Sequence, residues 1–275
     1  MSRAGLVVVV AVLVAASCGS PAPRKGSAPT TVPAASTTPP ATSTTTPTMT
    51  TTTTVRPTPT TSSPTLPAQP ATVITRGTTD RKLVALTFDA GSDAGNTARI
   101  LAILGADGIH ATFGITGLWA QANPALVRQI AAAGNQIVNH TWDHRSFTGY
   151  STGTAPLSAT QISQELQRTD TLVRQLTGTG TGGWFRPPYG DRDATVDRVA
   201  GAAGYRYELM WTVDTLGWKG VSPETVVQRC LASAMPGEII LMHVGSASTD
   251  ATALPSVIAA LRAQGYSFAS VLAMA

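Results

Sequence analysis

Residues 83–115 read LVALTFDAGSDAGNTARILAILGADGIHATFGI. Leu83–Phe88 is a β-rich run ending at Asp89, Thr97–Ala106 has helical spacing, and His110–Ile115 is β-rich again. The alternation continues outward. Asn123-Pro124 supplies a cap and a first-turn proline for a helix ending at Gly134, and Gln136–Asn139 reads as a strand. Ser158–Leu176 is a long amphipathic helix closed by Gly178, followed by extended Trp184-Phe185, helical Ala194–Ala203 and strand-like Tyr205–Val213. Pro223–Ala234 is a helix stopped by Pro236-Gly237. Glu238–Met242, Leu254–Gln264 and Tyr266–Val271 complete the pattern as strand, helix and strand. Such βα alternation predicts an α/β domain with about seven parallel strands, either open or closed into a barrel.

Chemistry-bearing residues gather where these strands end. Asp89 follows the first strand, His140 and His144 the third, Arg186 the fourth, Asp214 the fifth and His243 the sixth. In parallel βα folds, the loops at the carboxyl ends of strands build the active site. One polar residue at a strand end is commonplace, but so many on one edge are not.

The chain has four histidines, and two of them stand four residues apart in Asn139-His140-Thr141-Trp142-Asp143-His144. Neutral imidazole is a common ligand for zinc-like ions, and this spacing lets both rings face one ion. A pair of solvated surface histidines has the same spacing, so the motif alone decides nothing.

Together, five segments resemble the signature motifs of polysaccharide deacetylases, the NodB-homology or carbohydrate esterase family 4 enzymes. They are Thr87-Phe88-Asp89, His140 to His144, Arg186-Pro187-Pro188-Tyr189-Gly190, Asp214-Thr215-Leu216-Gly217-Trp218 and Leu241-Met242-His243. The resemblance spans about residues 81–272. It implies a distorted (β/α) barrel, one divalent metal ion of the zinc type, and removal of N-acetyl groups from polymeric amino sugars. On it, His140 and His144 are metal ligands, Asp89 is the general base and Arg186 orients that base. The backbone N–H of Tyr189 matches an oxyanion donor, His243 the general acid, and Trp218 an aromatic wall for the substrate.

The chain departs from the family pattern twice. The family's third metal ligand follows the base directly, and here that position is Ala90. Asp93, flanked by glycines, is expected either to replace this ligand or to cap the next helix. The acid that precedes the motif tryptophan and tunes the acid histidine is Gly217 here, and Asp214 is the expected substitute. His110, Trp119, Trp184 and Trp211 read as structural or rim residues, and Asp143 as a partner of the histidines or a solvated acid.

The amino-terminal quarter is of a different kind. Residues 1–17 carry Arg3, then the apolar run Leu6–Ala16, which is too short to span a bilayer and has a signal-peptide layout. Leu13-Val14-Ala15-Ala16-Ser17-Cys18-Gly19 resembles a bacterial lipobox, with Ala15 where leucine is usual; plain secretion is the alternative. A lipidated Cys18 would leave Cys230, the other cysteine, as an unpaired buried thiol. Residues 18–72 are mostly Thr, Pro, Ser and Ala, a composition that cannot offset chain entropy by burial and predicts a disordered tether. In polyproline geometry it reaches on the order of 150 Å. The net charge of +4 resides in this tail, in Arg3, Arg24, Lys25 and Arg56, leaving 15 basic and 15 acidic residues in the rest. That balance gives no reason to expect nucleic acid as a partner. The expectation is a secreted, membrane-anchored lipoprotein of the bacterial cell envelope, monomeric, with its catalytic domain over residues 73–275. It would deacetylate cell-wall polysaccharide, most plausibly peptidoglycan. The alternatives are an O-acetyl polysaccharide esterase and a wall-binding pseudoenzyme.

Overall fold

The computed structural model describes residues 69–275. The signal peptide, Cys18 and nearly all of the Thr/Pro-rich segment lie outside the described residues. The folded part begins slightly earlier than the composition suggested. Ala71 is buried and donates its N–H to Asp197 O at 2.9 Å, and the first strand, β1, is Thr72–Ile74.

Eight more strands follow: β2 (Leu83–Ala90), β3 (Thr112–Ile115), β4 (Gln136–Asn139), β5 (Trp184–Phe185), β6 (Tyr207–Leu209), β7 (Val213–Asp214), β8 (Glu238–His243) and β9 (Ser267–Phe268). Every pairing is parallel, in the order β1-β6-β5-β4-β3-β2-β8-β7, with β9 also paired to β2. Among the described residues the count is nine rather than seven, for two reasons. β1 was not anticipated, and the run expected as one strand over Tyr205–Val213 is two. β6 and β7 lie near opposite ends of the sheet although only residues 210–212 separate them. Met210 donates to Ile74 O at 2.8 Å and Thr212 to Ile239 O at 2.9 Å, so this link carries the chain across the gap. The sheet therefore curls into a distorted, incompletely laddered barrel, as expected.

Helices α1 (Thr97–Asp107), α2 (Gly117–Ala122), α3 (Pro124–Ala132), α4 (Ala159–Thr177), α5 (Ala194–Ala202), α6 (Pro223–Ala232) and α7 (Asp250–Ala263) connect the strands. Their ends follow local chemistry. Ser158 and Gln161 form a reciprocal capping box on α4, Gly178 closes it at φ 85°, and Pro124 opens α3.

β2 explains the placement of the catalytic candidates. Val84, Leu86, Phe88 and Ala90 pack into the helix-facing core with Ile100, Leu104, Leu254 and Ile258. Ala85 instead joins Val138, Trp184, Leu209 and Ile239 inside the barrel. Side chains alternate along a strand, so Thr87 and Asp89 share the interior face with Ala85, and Ala90 faces the other way. Each fully buried Leu or Phe here contributes about 1.5–3 kcal/mol. Cys230 is buried in the same helix-facing layer, and burial pushes its thiol up to about 12, so it is an apolar filler.

Candidate active site

At the carboxyl end of β2, Asp89 meets Arg186, the residue after β5. Arg186 Nη1 donates to Asp89 Oδ1 at 2.7 Å, Nη2 to Thr87 Oγ1 at 2.9 Å, and Nε to Leu209 O at 3.2 Å. Arg186 is fully buried. Burial is the largest single influence and opposes the charged form of Asp89, but the Arg186 guanidinium together with His140 and His243 outweighs it and holds the carboxyl below its ordinary value. Gly114 of β3 lies opposite Asp89 in register, and a Cβ there would overlap Asp89 Oδ1. The glycine is what admits the carboxylate.

The histidine loop follows β4. His140 Nδ1 lies 2.8 Å from the carbonyl oxygen of Arg186, which fixes Nδ1–H as donor and leaves the Nε2 lone pair free, 3.5 Å from Asp89 Oδ2. Thr141 (φ 69°) and His144 (φ 64°) both adopt left-handed backbone, at a cost of about 1–3 kcal/mol each. The surroundings enforce it. Thr141 N–H donates to Asn139 Oδ1 and His144 N–H to Thr141 Oγ1, while Glu165 of α4 accepts from the Trp142 and Asp143 amides at 2.8 and 3.1 Å. The two imidazoles thereby come within 4.8 Å, centroid to centroid. Burial lowers both: His140 falls below its usual value, and His144, also facing His140, drops to about 4. Both are neutral near pH 7, the state in which imidazole binds a metal.

On the other side of β2 from the histidine loop, His243 ends β8 in register with Asp89, and the Trp218 ring is 6.2 Å from it. Trp218 is 48% exposed and Tyr189 51%, both on the rim. Tyr189 (φ 62°) and Leu216 (φ 60°) are the other non-glycine residues in left-handed backbone, so all such residues among those described flank this site. A cleft of about 810 Å³ lies between the walls, bounded by Asp89, His140, His144, Tyr189, Trp218 and His243 among others. Trp211, read as a rim or core residue, lines it too, and the Arg186 guanidinium sits 5.8 Å from its ring.

Three expectations need correction. Asp93 neither joins the histidines nor caps α1: its Oδ1 accepts from Ser246 N–H at 2.9 Å and its Oδ2 from Ser246 Oγ at 2.5 Å. These bonds, chiefly the one from the Ser246 hydroxyl, lower its carboxyl, and they tie the β2–α1 loop to the β8–α7 loop. Asp214 does not hold His243. It accepts from Leu216 N–H at 2.9 Å and from Trp218 Nε1 at 3.2 Å, and so positions the tryptophan. Asp143 pairs with Arg145 at 2.8 Å and hydrogen-bonds neither ring, and its charge is the smallest of the influences named on His144.

Two residues were missed. Glu165 looked like one more polar position on an amphipathic helix. Asp250 lay outside the expected helix start at Leu254, although Ser248-Thr249-Asp250 is a recognisable helix-opening triplet. Asp250 is fully buried and accepts from His243 N–H at 2.8 Å.

Among the described residues, no group of three or more His, Cys, Asp or Glu side chains is gathered to hold an ion. The donors fit a two-imidazole site, and Ala90, on the helix-facing side of β2, adds none. The constellation can still provide an ionised base, an adjacent imidazole and an aromatic wall.

The sequence profile for polysaccharide deacetylase matches residues 76–208. Over 201 residues the chain is 32% identical to a peptidoglycan-N-acetylglucosamine deacetylase of Bacillus cereus, covering 70% of this chain and 87% of that protein. It is 30% identical over 198 residues to a peptidoglycan-N-acetylmuramic acid deacetylase of Bacillus subtilis, covering 71% and 72%. Among solved structures it is similar to a CE4 family pseudoenzyme from Bacillus anthracis, with TM-score 0.66 and 31% identity over 74% of this chain and 68% of that one. With the strand-end constellation in place and identity at this level over most of the domain, the chain belongs to the polysaccharide deacetylase family, carbohydrate esterase family 4.

Proposed function

We propose that the protein is a hydrolase that removes N-acetyl groups from cell-wall polysaccharide, with peptidoglycan amino sugars as its substrate. The observation that carries this reading is the buried Asp89–Arg186 pair with His243 beside it, in register with Asp89 on the adjacent strand, so that base and imidazole line one cleft together. Asp89, kept ionised by Arg186, takes a proton from the attacking water. His243 delivers a proton to the departing amine, and the Tyr189 backbone N–H stabilises the oxyanion. Trp218, steadied by Asp214, packs against the acetyl methyl or sugar ring. His140 and His144 would hold one divalent ion, zinc in the first instance, which when bound polarises the acetamide carbonyl. The two peptidoglycan-deacetylase relatives support the choice of polymer. The proposed setting is the bacterial cell envelope, with Cys18 lipidated and residues 18–72 as the tether.

A second reading rests on Ala90 and on the engagement of Asp93 by Ser246. With no third donor beside the histidines among the described residues, the domain would be a pseudoenzyme, as its Bacillus anthracis structural relative is, and would serve by binding the wall. Titrating zinc into the metal-stripped full-length protein by calorimetry, and then measuring acetate release from N-acetylated and O-acetylated glycans, separates the possibilities. One ion bound, lost in His140→Ala and in His144→Ala, with acetate released from the N-acetylated polymer, is the expected result. Release only from the O-acetylated polymer would make it an esterase, and wall binding without any release would make it a pseudoenzyme.

A further inference from the structure

The Asp250 carboxylate is a heavily engaged acid near the cleft that the mechanism above leaves idle. It opens α7, is fully buried, and accepts from three directions: Thr215 Oγ1 at 2.8 Å, His243 N–H at 2.8 Å and Ser248 Oγ at 2.8 Å. Burial pushes this carboxyl up despite those donors. A buried acid that costs so much to desolvate is retained where something needs its charge or its acceptor.

Beside it is a group that lacks a partner. His243 Nδ1 is buried and has no hydrogen bond in the structure. An unpaired buried ring nitrogen is costly, and costlier still once the ring is protonated and must donate there. Nδ1 and the amide that Asp250 already holds belong to the same residue, so the carboxylate lies at the base of that imidazole. Asp214, the other acid of this wall, is committed to Leu216 and Trp218.

The backbone at position 217 completes the picture. A Cβ built on Gly217 would overlap Asp250 Oδ1 and Cγ and come within 2.7 Å of Oδ2. A side chain on residue 217 and the carboxylate of residue 250 thus compete for one space next to the β8 terminus.

We propose that Asp250 is the positioning residue of His243: once the ring takes up its second proton, the neighbouring carboxylate accepts the Nδ1–H that is otherwise without a partner, so that Nε2–H points into the cleft. This assignment rests on the deacetylase reading above. As the C–N bond breaks and its electron pair goes to nitrogen, the Nε2 proton passes to the amine. The ring is left neutral with Nδ1–H still held by Asp250. Gly217 is then required because any side chain there would evict this acid.

The test uses the full-length protein in three forms: wild type, Asp250→Ala, and the swap Asp250→Ala with Gly217→Asp, which returns a carboxylate from the opposite side. In Asp250→Ala, kcat on an N-acetylglucosamine oligomer falls about 10- to 100-fold, part of the ~10²–10⁴ that a general acid contributes, while KM changes little. The swap recovers at least half of that loss on a logarithmic scale. Independently of turnover, ¹⁵N-labelled imidazole spectra show a slowly exchanging Nδ1–H for His243 in wild type and swap but not in Asp250→Ala. Two results would overturn the assignment: unchanged kcat with the Nδ1–H signal intact in Asp250→Ala, or a folded swap that restores neither. If wild type releases no acetate, the deacetylase reading fails while the Nδ1–H signal still decides whether Asp250 holds His243.

Discussion

Arg186→Met removes the guanidinium while nearly conserving volume, and strands Asp89 as a buried carboxylate. Arg186 is fully buried and Asp89 is 7% exposed, joined by a 2.7 Å charge-assisted bond. Removing one partner of such a pair costs about 3–5 kcal/mol. For a domain of this size that corresponds to a fall in Tm of roughly 6–20 °C. Asp89→Asn strands the arginine instead and should cost a similar amount. If each loss arises from an uncompensated charge, the double variant should cost far less than the roughly 6–10 kcal/mol sum of the singles. The pH dependence supplies a second arm. In wild type the Asp89 carboxyl is lowered, so its stabilisation is fully present above the unfolded value of about 3.9 and is lost as pH falls through the folded pKa. In Arg186→Met, burial, the largest influence on Asp89, loses its main opponent and the carboxyl is raised. That variant should gain stability as pH falls from neutral through the raised pKa. Urea unfolding followed by circular dichroism between pH 7 and pH 3 measures both arms. Additive single costs, a loss below about 1 kcal/mol for Arg186→Met, or no gain of Arg186→Met relative to wild type as pH falls would refute the reasoning.

Gly114→Ala tests the clearance for the base: the new methyl displaces the Asp89 carboxylate, and a misplacement near 1 Å costs about 10²-fold in rate. Circular dichroism should remain native, and unimpaired acetate release would show that the glycine is incidental. Glu165→Ala leaves two loop amides without their acceptor and should cost about 1.5–3 kcal/mol. Hydrogen exchange at Trp142 and Asp143 should accelerate; unchanged protection would mean that Glu165 does not hold the histidine loop. Cys18→Ala should move the protein from the detergent phase to the soluble secreted fraction, whereas native protein already free in the medium would exclude the lipid anchor.

Local pattern carried much of the architecture. β2, α1 and the ends of α3 and α4 are visible as β-rich runs, helical spacing, prolines and glycines, because these signals act within a few residues along the chain. The Tyr205–Val213 run was misread for a matching reason: it is uniformly strand-like, and its division depends on β6 laddering with β5 while β7 ladders with β8. Nothing local distinguishes those partners.

The same division runs through the site. Asp89, His140, His144, Arg186 and His243 were legible because a parallel βα order places every strand's carboxyl end on one edge, so sequence position alone assigns them to a common neighbourhood. Which carboxylate serves which partner was not legible. Asp93 is near the histidines in sequence but is bound to Ser246, and Asp214 is bound to Trp218. Asp250 reaches His243 from the first turn of a helix whose start had been placed beyond it. The succession of strands and helices along the chain follows from short-range periodicity, which the chain states residue by residue. Pairing of buried charges follows from which side chains fill the same space, and only the packed barrel decides that.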